Sequence, residues 1–107
     1  MHELAELRSL ELHREVARAI RQNPALVQAA RQRLRARLPA EPPTDSYASR
    51  WLLWLDLPID ELVARMTSDD EQGREMRQST PFTFVIPHRQ RWAIWARVRR
   101  EQAGGPR

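Results

Sequence analysis

A single stretch of this chain, STPFTFVIP at residues 79–87, has the composition of a β-strand. One strand alone has no neighbour to receive its backbone hydrogen bonds, and every other strong hydrophobic pattern repeats at about 3.6 residues. The sequence therefore predicts an all-α fold, a compact bundle of about five to six helices. Residues 79–87 are expected to run irregularly through it, tucking Phe82, Phe84 and Ile86 into the core.

Punctuation residues divide the helical pattern. Leu12, Val16 and Ile20, with Leu10 beside them, mark one face of a first helix over 7–22. Asn23-Pro24 ends it and starts a second, with Asn23 expected as N-cap and Pro24 at the first helical position. Val27, Ala30, Leu34 and Leu38 share a face of that second helix, with Leu26 at its edge, so 7–38 is predicted to pair as an αα-hairpin. PAEPPTD at 39–45 places three prolines in seven residues, which no helix continues through, and reads as a stiff linker.

Beyond the linker a tryptophan-anchored helical core is expected over 46–102. Asp45 or Ser46 caps a helix over 47–56 whose C-terminal end is apolar nearly all round, as in a central buried helix. Leu57-Pro58 opens a short amphipathic helix over 59–66. Ser68-Asp69-Asp70-Glu71 has the form of a capping box, with acids where a helix dipole favours them, and starts a helix to about residue 78. This is a better account of the acids than a metal cluster. Pro87 starts the last helix, ending near Gln102, and AGGPR at 103–107 reads as a disordered tail. The whole is one domain.

With 107 residues and no cysteine, the core depends on a few large side chains rather than on disulfides or a thiolate metal site. All four tryptophans fall in two similar stretches, RWLLW at 50–54 and RWAIW at 91–95. Leu52, Leu53 and Leu55 surround Trp51 and Trp54, which reads as core. The second pair differs. Ile94, Val98 and Trp95 form an apolar arc with Trp92 at its rim, but Arg91 falls between Val98 and Trp95, and Arg99 between Trp95 and Trp92. Trp95 at least is expected in the core. Either the arginine stems cover the core while their heads reach water or the acidic helix near Asp69–Glu75, or Arg91, Trp92 and Arg99 form a partner surface.

All 18 basic side chains are arginine, and their placement is uneven. Residues 16–40 carry six arginines and no acid, 56–75 carry seven acids against two arginines, and 76–107 carry seven arginines against Glu101 alone. The net charge of +4 thus hides a basic, acidic, basic layout, which either cancels partly within the fold or presents a basic face to an acidic partner. Arg31, Arg33, Arg35 and Arg37 alternate along the second helix, and only Arg37 has an acid, Glu41, within helical reach. A solvated face and a phosphate- or carboxylate-binding face are both open readings. His2, His13 and His88 show neither metal-ligand spacing nor a paired carboxylate, and no glycine-rich phosphate loop is present, so neither an enzyme nor a cofactor is expected. The longest apolar run, 51–55, is too short for a bilayer and the N-terminus lacks a signal peptide's pattern, which points to a cytoplasmic protein without membrane contact.

The string LRSLELHREVARAIRQNPALVQAARQRL, followed by RQSTPFTFVIPHRQRWAIWARV, resembles a group of small all-helical bacterial antitoxins encoded beside nucleotidyltransferase-fold toxins of the abortive-infection type. The likeness spans most of residues 7–98, and its most specific parts are 77–82 and 91–95. It implies a non-catalytic partner protein, with the nucleotide and magnesium chemistry carried by the toxin. The competing class is a nucleic-acid binder or operator-binding autoregulator that sets its arginine-rich helices on phosphates, and a third is a plain structural subunit.

Overall fold

The computed structural model describes residues 3–104. Among these the chain is all-helical, with no strand: α1 (Leu4–Gln22), α2 (Ala25–Ala36), α3 (Tyr47–Leu55), α4 (Ile59–Met66), α5 (Glu71–Arg77) and α6 (His88–Ala103), with one 3-10 turn at Thr83–Val85. No helix among the described residues is long and apolar enough to cross a membrane.

The helix ends follow from identifiable residues. Ser46 caps α3, its hydroxyl accepting from the Ser49 N–H at 3.1 Å. Asp70, rather than Ser68, caps α5, its carboxylate accepting from Gly73 N–H at 2.7 Å, which holds the Asp70 carboxyl below the usual carboxylate range. The Asn23 side chain does not cap α2 as expected: Asn23 closes α1 through its own N–H to the Ala19 carbonyl, and its carbonyl then accepts from Leu26. α2 stops at Ala36 rather than Leu38, because a residue before proline, here Leu38 before Pro39, is pushed out of helical geometry. α1 begins one turn earlier than its stripe predicts. Of the expected disordered tail, Ala103 still belongs to α6 and Gly104 caps it, while 105–107 lie outside the described residues.

The hub is α1, not α3. It packs against α2, α4, α5 and α6, and α2 leans on α3 as well as on α1. The αα-hairpin forms, but it is built into the core rather than hung from it, and apolar residues from all six helices join one buried cluster. α3 turns one side to water, with Leu53 67% exposed.

Trp51 is the centre of the packing. It is fully buried, meets Trp54 edge-on at 5.1 Å and Phe82 at 5.9 Å, and donates its indole N–H to the Met76 carbonyl at 2.8 Å. A large apolar ring with its one polar atom satisfied is the arrangement that lets a tryptophan be buried without penalty. The 79–87 stretch does run irregularly, delivering Phe82 and Ile86 to the core. Phe84 stays half-buried beneath Arg33, whose guanidinium lies 4.2 Å from the ring.

Replacing Trp51 with alanine is expected to destabilise the fold by about 3–5 kcal/mol, through the cavity and the lost indole hydrogen bond to the Met76 carbonyl, which keeps Ser79 as a donor. Trp51→Phe should recover part of that loss while still lacking the indole hydrogen bond. Urea denaturation of the two variants measures both effects.

Candidate ligand cleft and docking face

The arginines singled out by sequence separate into three groups. Arg31 and Arg33 are engaged within the fold: Arg31 pairs with Asp56 at 2.6 Å and donates to the Leu55 carbonyl at 3.0 Å, closing the C-terminal end of α3, and Arg33 covers Phe84. Arg35 and Arg37 are exposed on α2, and neither side chain meets a carboxylate among the described residues, Glu41 included. On α6, Arg91 turns inward to donate to the Thr83 carbonyl at 2.7 Å and the Ile86 carbonyl at 3.3 Å. It does not pair with the acidic helix, because the 3-10 turn presents carbonyls next to it that need donors.

Trp92 is 65% exposed, and Arg99 is exposed without an ion pair among the described residues. Trp95 is half-buried, packed against the core cluster rather than lying within it as expected. It packs edge-on against Trp92 at 5.3 Å and 79°, and carries the Arg8 guanidinium 5.6 Å from its ring. Seven residues separate Trp92 from Arg99, about two helical turns, so both lie on one face.

The charge layout cancels partly inside the fold. Arg21 of α1 reaches Asp60 of α4 at 2.6 Å, Arg31 takes Asp56, and Arg97 of α6 meets Glu11 of α1 at 3.0 Å. Surface pairs of this kind contribute little stability, but they give these arginines local carboxylate partners.

A second site was not visible in sequence. α1, α5, the residues just after α5 and α6 enclose a cleft of about 440 Å³ whose wall includes Arg8, Leu12, His13, Arg77, Arg91 and Trp95. Arg77 is 3% exposed and donates from Nη1 to the Met66 carbonyl at 3.1 Å and the Ser68 carbonyl at 2.7 Å, covering the end of α4. Burial draws its pKa below the usual arginine range, though it stays charged. Gly73 makes that approach fit: a Cβ there would collide with the Ser68 carbonyl and sit 3.1 Å from Arg77 Nη1.

His13 is fully buried, with Nδ1 2.7 Å from the Ser9 carbonyl. That contact requires the proton on Nδ1 and leaves Nε2 as an acceptor with no partner among the described residues. Burial above all, and also the Arg77 charge, lower the His13 pKa to about 4 against the opposing Ser9 hydrogen bond, so the ring is neutral at pH 7. The signal in sequence was its register: His13 lies three residues from both Leu10 and Val16, on the buried face of α1. Comparison with protein-family models, with curated proteins and with solved structures gave no match.

Two predictions test this region. Gly73→Ala should lower stability by about 1–3 kcal/mol despite alanine's better helix propensity, because the methyl displaces the Ser68 carbonyl from Arg77. A thermal melt reads the sign. His13 binds its proton less readily folded than unfolded, so its contribution is fully present above pH 6.5 and is lost as pH falls toward 4, for a total of about 3 kcal/mol. Denaturation midpoints across that window should show the loss, and His13→Leu should flatten it.

Proposed function

We propose that this chain is a non-catalytic protein-binding module, the antitoxin of a cytoplasmic toxin–antitoxin pair, which neutralises a nucleotidyltransferase-fold toxin by docking α6 against it. The observation that best supports the reading is Trp92, largely exposed yet braced edge-on by Trp95. Covering such a ring contributes about 25 cal/mol per Å² of apolar area, and a ring already held in place loses little freedom on contact. Arg99 on the same face supplies a cation free to meet a carboxylate. Tryptophan and arginine are the residue types most often found where binding energy concentrates. A nucleotidyltransferase site gathers metal-binding carboxylates, and its field draws in a basic face. Arg91, held by the Thr83 and Ile86 carbonyls, leaves the docking set.

The nucleic-acid reading keeps one supporting observation, the exposed Arg35 and Arg37 on α2 without carboxylate partners among the described residues. Salt separates the two: binding to phosphate weakens linearly in log K against log salt, whereas a complex sealed by tryptophan persists.

Arg99→Glu is expected to leave the melting temperature of the free chain unchanged, since its side chain is exposed, and Trp92→Ala to lower it only slightly, through the lost contact with Trp95. They should weaken the complex with the nucleotidyltransferase encoded beside it by about 2 kcal/mol or more, with loss of neutralisation on co-expression. Calorimetry on the purified pair measures it. Undiminished binding by the double variant would remove the docking reading, and loss of duplex-DNA binding in Arg35→Glu, Arg37→Glu would put the nucleic-acid reading in its place.

A further inference from the structure

We propose that the cleft between α1, α5 and α6 binds a small phosphate ester with a flat apolar body, its oxyanion on Arg8 and Arg91 and its ring against Trp95. The assignment does not rest on the docking role.

Four buried side-chain nitrogens lack a hydrogen-bond partner among the described residues: Arg8 Nε, His13 Nε2, Arg77 Nε and Arg91 Nε. All four residues line this one cleft. Folded proteins leave few such groups; these nitrogens are themselves closed off from solvent, but their clustering in residues beside one cleft marks where the polar balance of the fold is incomplete.

The charge balance points to an anion. Three guanidinium groups line the cleft and no carboxylate does. Glu6, Asp69 and Asp70 bear on Arg77 electrostatically, but none of them forms part of the wall. Like charges gathered in a partly desolvated space repel, a cost that an oxyanion offsets. Arg8 is the clearest case, because among the described residues its guanidinium finds the Trp95 ring and no carboxylate, whereas Arg21, Arg31 and Arg97 each find a carboxylate. Guanidinium forks match the oxygens of a phosphate, and the Thr80 and Thr83 side chains stand in the same wall.

Size and lining call for more than phosphate alone. About 440 Å³ lies within the range of small-molecule sites and exceeds what a tetrahedral ion fills. Leu12 and the half-buried Trp95 supply the apolar remainder, and an indole face takes a planar ring well.

Phenyl phosphate, inorganic phosphate and phenol, titrated separately into the 107-residue chain, test the assignment. Phenyl phosphate is expected to bind at least about tenfold more tightly than either fragment by calorimetry. Its largest NMR shifts should fall on the Trp95 indole, the His13 ring and Arg91 Nε. Arg8→Gln should weaken it about tenfold and Arg8→Lys recover part of the loss, while Arg35→Gln on α2 leaves binding unchanged. Inorganic phosphate binding as tightly as phenyl phosphate would overturn the ring contact and with it the proposal. So would a shift map centred on α2, or an Arg8→Gln variant that binds like the parent. Should Arg8→Gln fail to fold, the shift map on the parent chain decides.

Discussion

A guanidinium group that is 97% removed from water dictates how the middle of this chain is arranged, because a buried cation must be surrounded by acceptors or the fold does not hold. Arg77 finds them where α4 ends, on the carbonyls of Met66 and Ser68, which the helix itself leaves without donors. That single contact fixes the turn between α4 and α5. It also requires glycine at position 73, because any larger residue would take the space the Ser68 carbonyl occupies. The neighbouring residue completes the lock, since the Met76 carbonyl accepts the Trp51 indole and so ties α5 to α3 and the core.

The same device recurs. Arg31 closes the end of α3 on Leu55, and Arg91 closes the 3-10 turn on Thr83 and Ile86. Short helices expose a large share of unpaired terminal carbonyls relative to their length, and positive charge at a helix C-terminus is favourable in its own right. A chain built from helices of seven to nine residues in its middle, α3, α4 and α5, therefore has structural employment for arginines beyond solubility. Part of the positive charge in the sequence is thus engaged by carbonyls and tertiary ion pairs, and Arg35, Arg37 and Arg99 are among the cations that face outward without partners in the described residues, together with Arg65, Arg89 and Arg100.

This explains what could be read in the sequence and what could not. Helix positions were legible because each boundary is set by a local residue: Pro39 after α2, Ser46 before α3, Pro58 before α4, Pro87 before α6. The Trp51 and Trp54 core was legible because its apolar neighbours are adjacent in the chain. Arginine destinations were not, since periodicity gives the direction of a side chain but not which backbone carbonyl waits at its end. The central role of α1 escaped for a similar reason: α3 is the more apolar helix, yet α1 is long enough to reach four others. The cleft is the extreme case, with its unpartnered nitrogens contributed by positions 8, 13, 77 and 91, which no local window contains together.

Trp95 joins the two surfaces of interest. One side of this half-buried indole forms cleft wall beside Arg8, and its edge-on contact holds Trp92 in water-facing position at 5.3 Å. Rings packed at that distance cannot move independently, because a small radial gap already forfeits much of their dispersion energy. A group that settles against Trp95 from the cleft side therefore bears on the orientation of Trp92 through a single shared contact. The helix backbone brings the two rings together, since residues three apart lie on one face of α6. Sequence spacing produced this arrangement twice, in RWLLW and RWAIW, with opposite results. The first pair has Phe82 and the Met76 carbonyl to close over it and becomes core; in the second, Trp95 leans on the core with Arg8 and the cleft beside it, and Trp92 remains available at the surface.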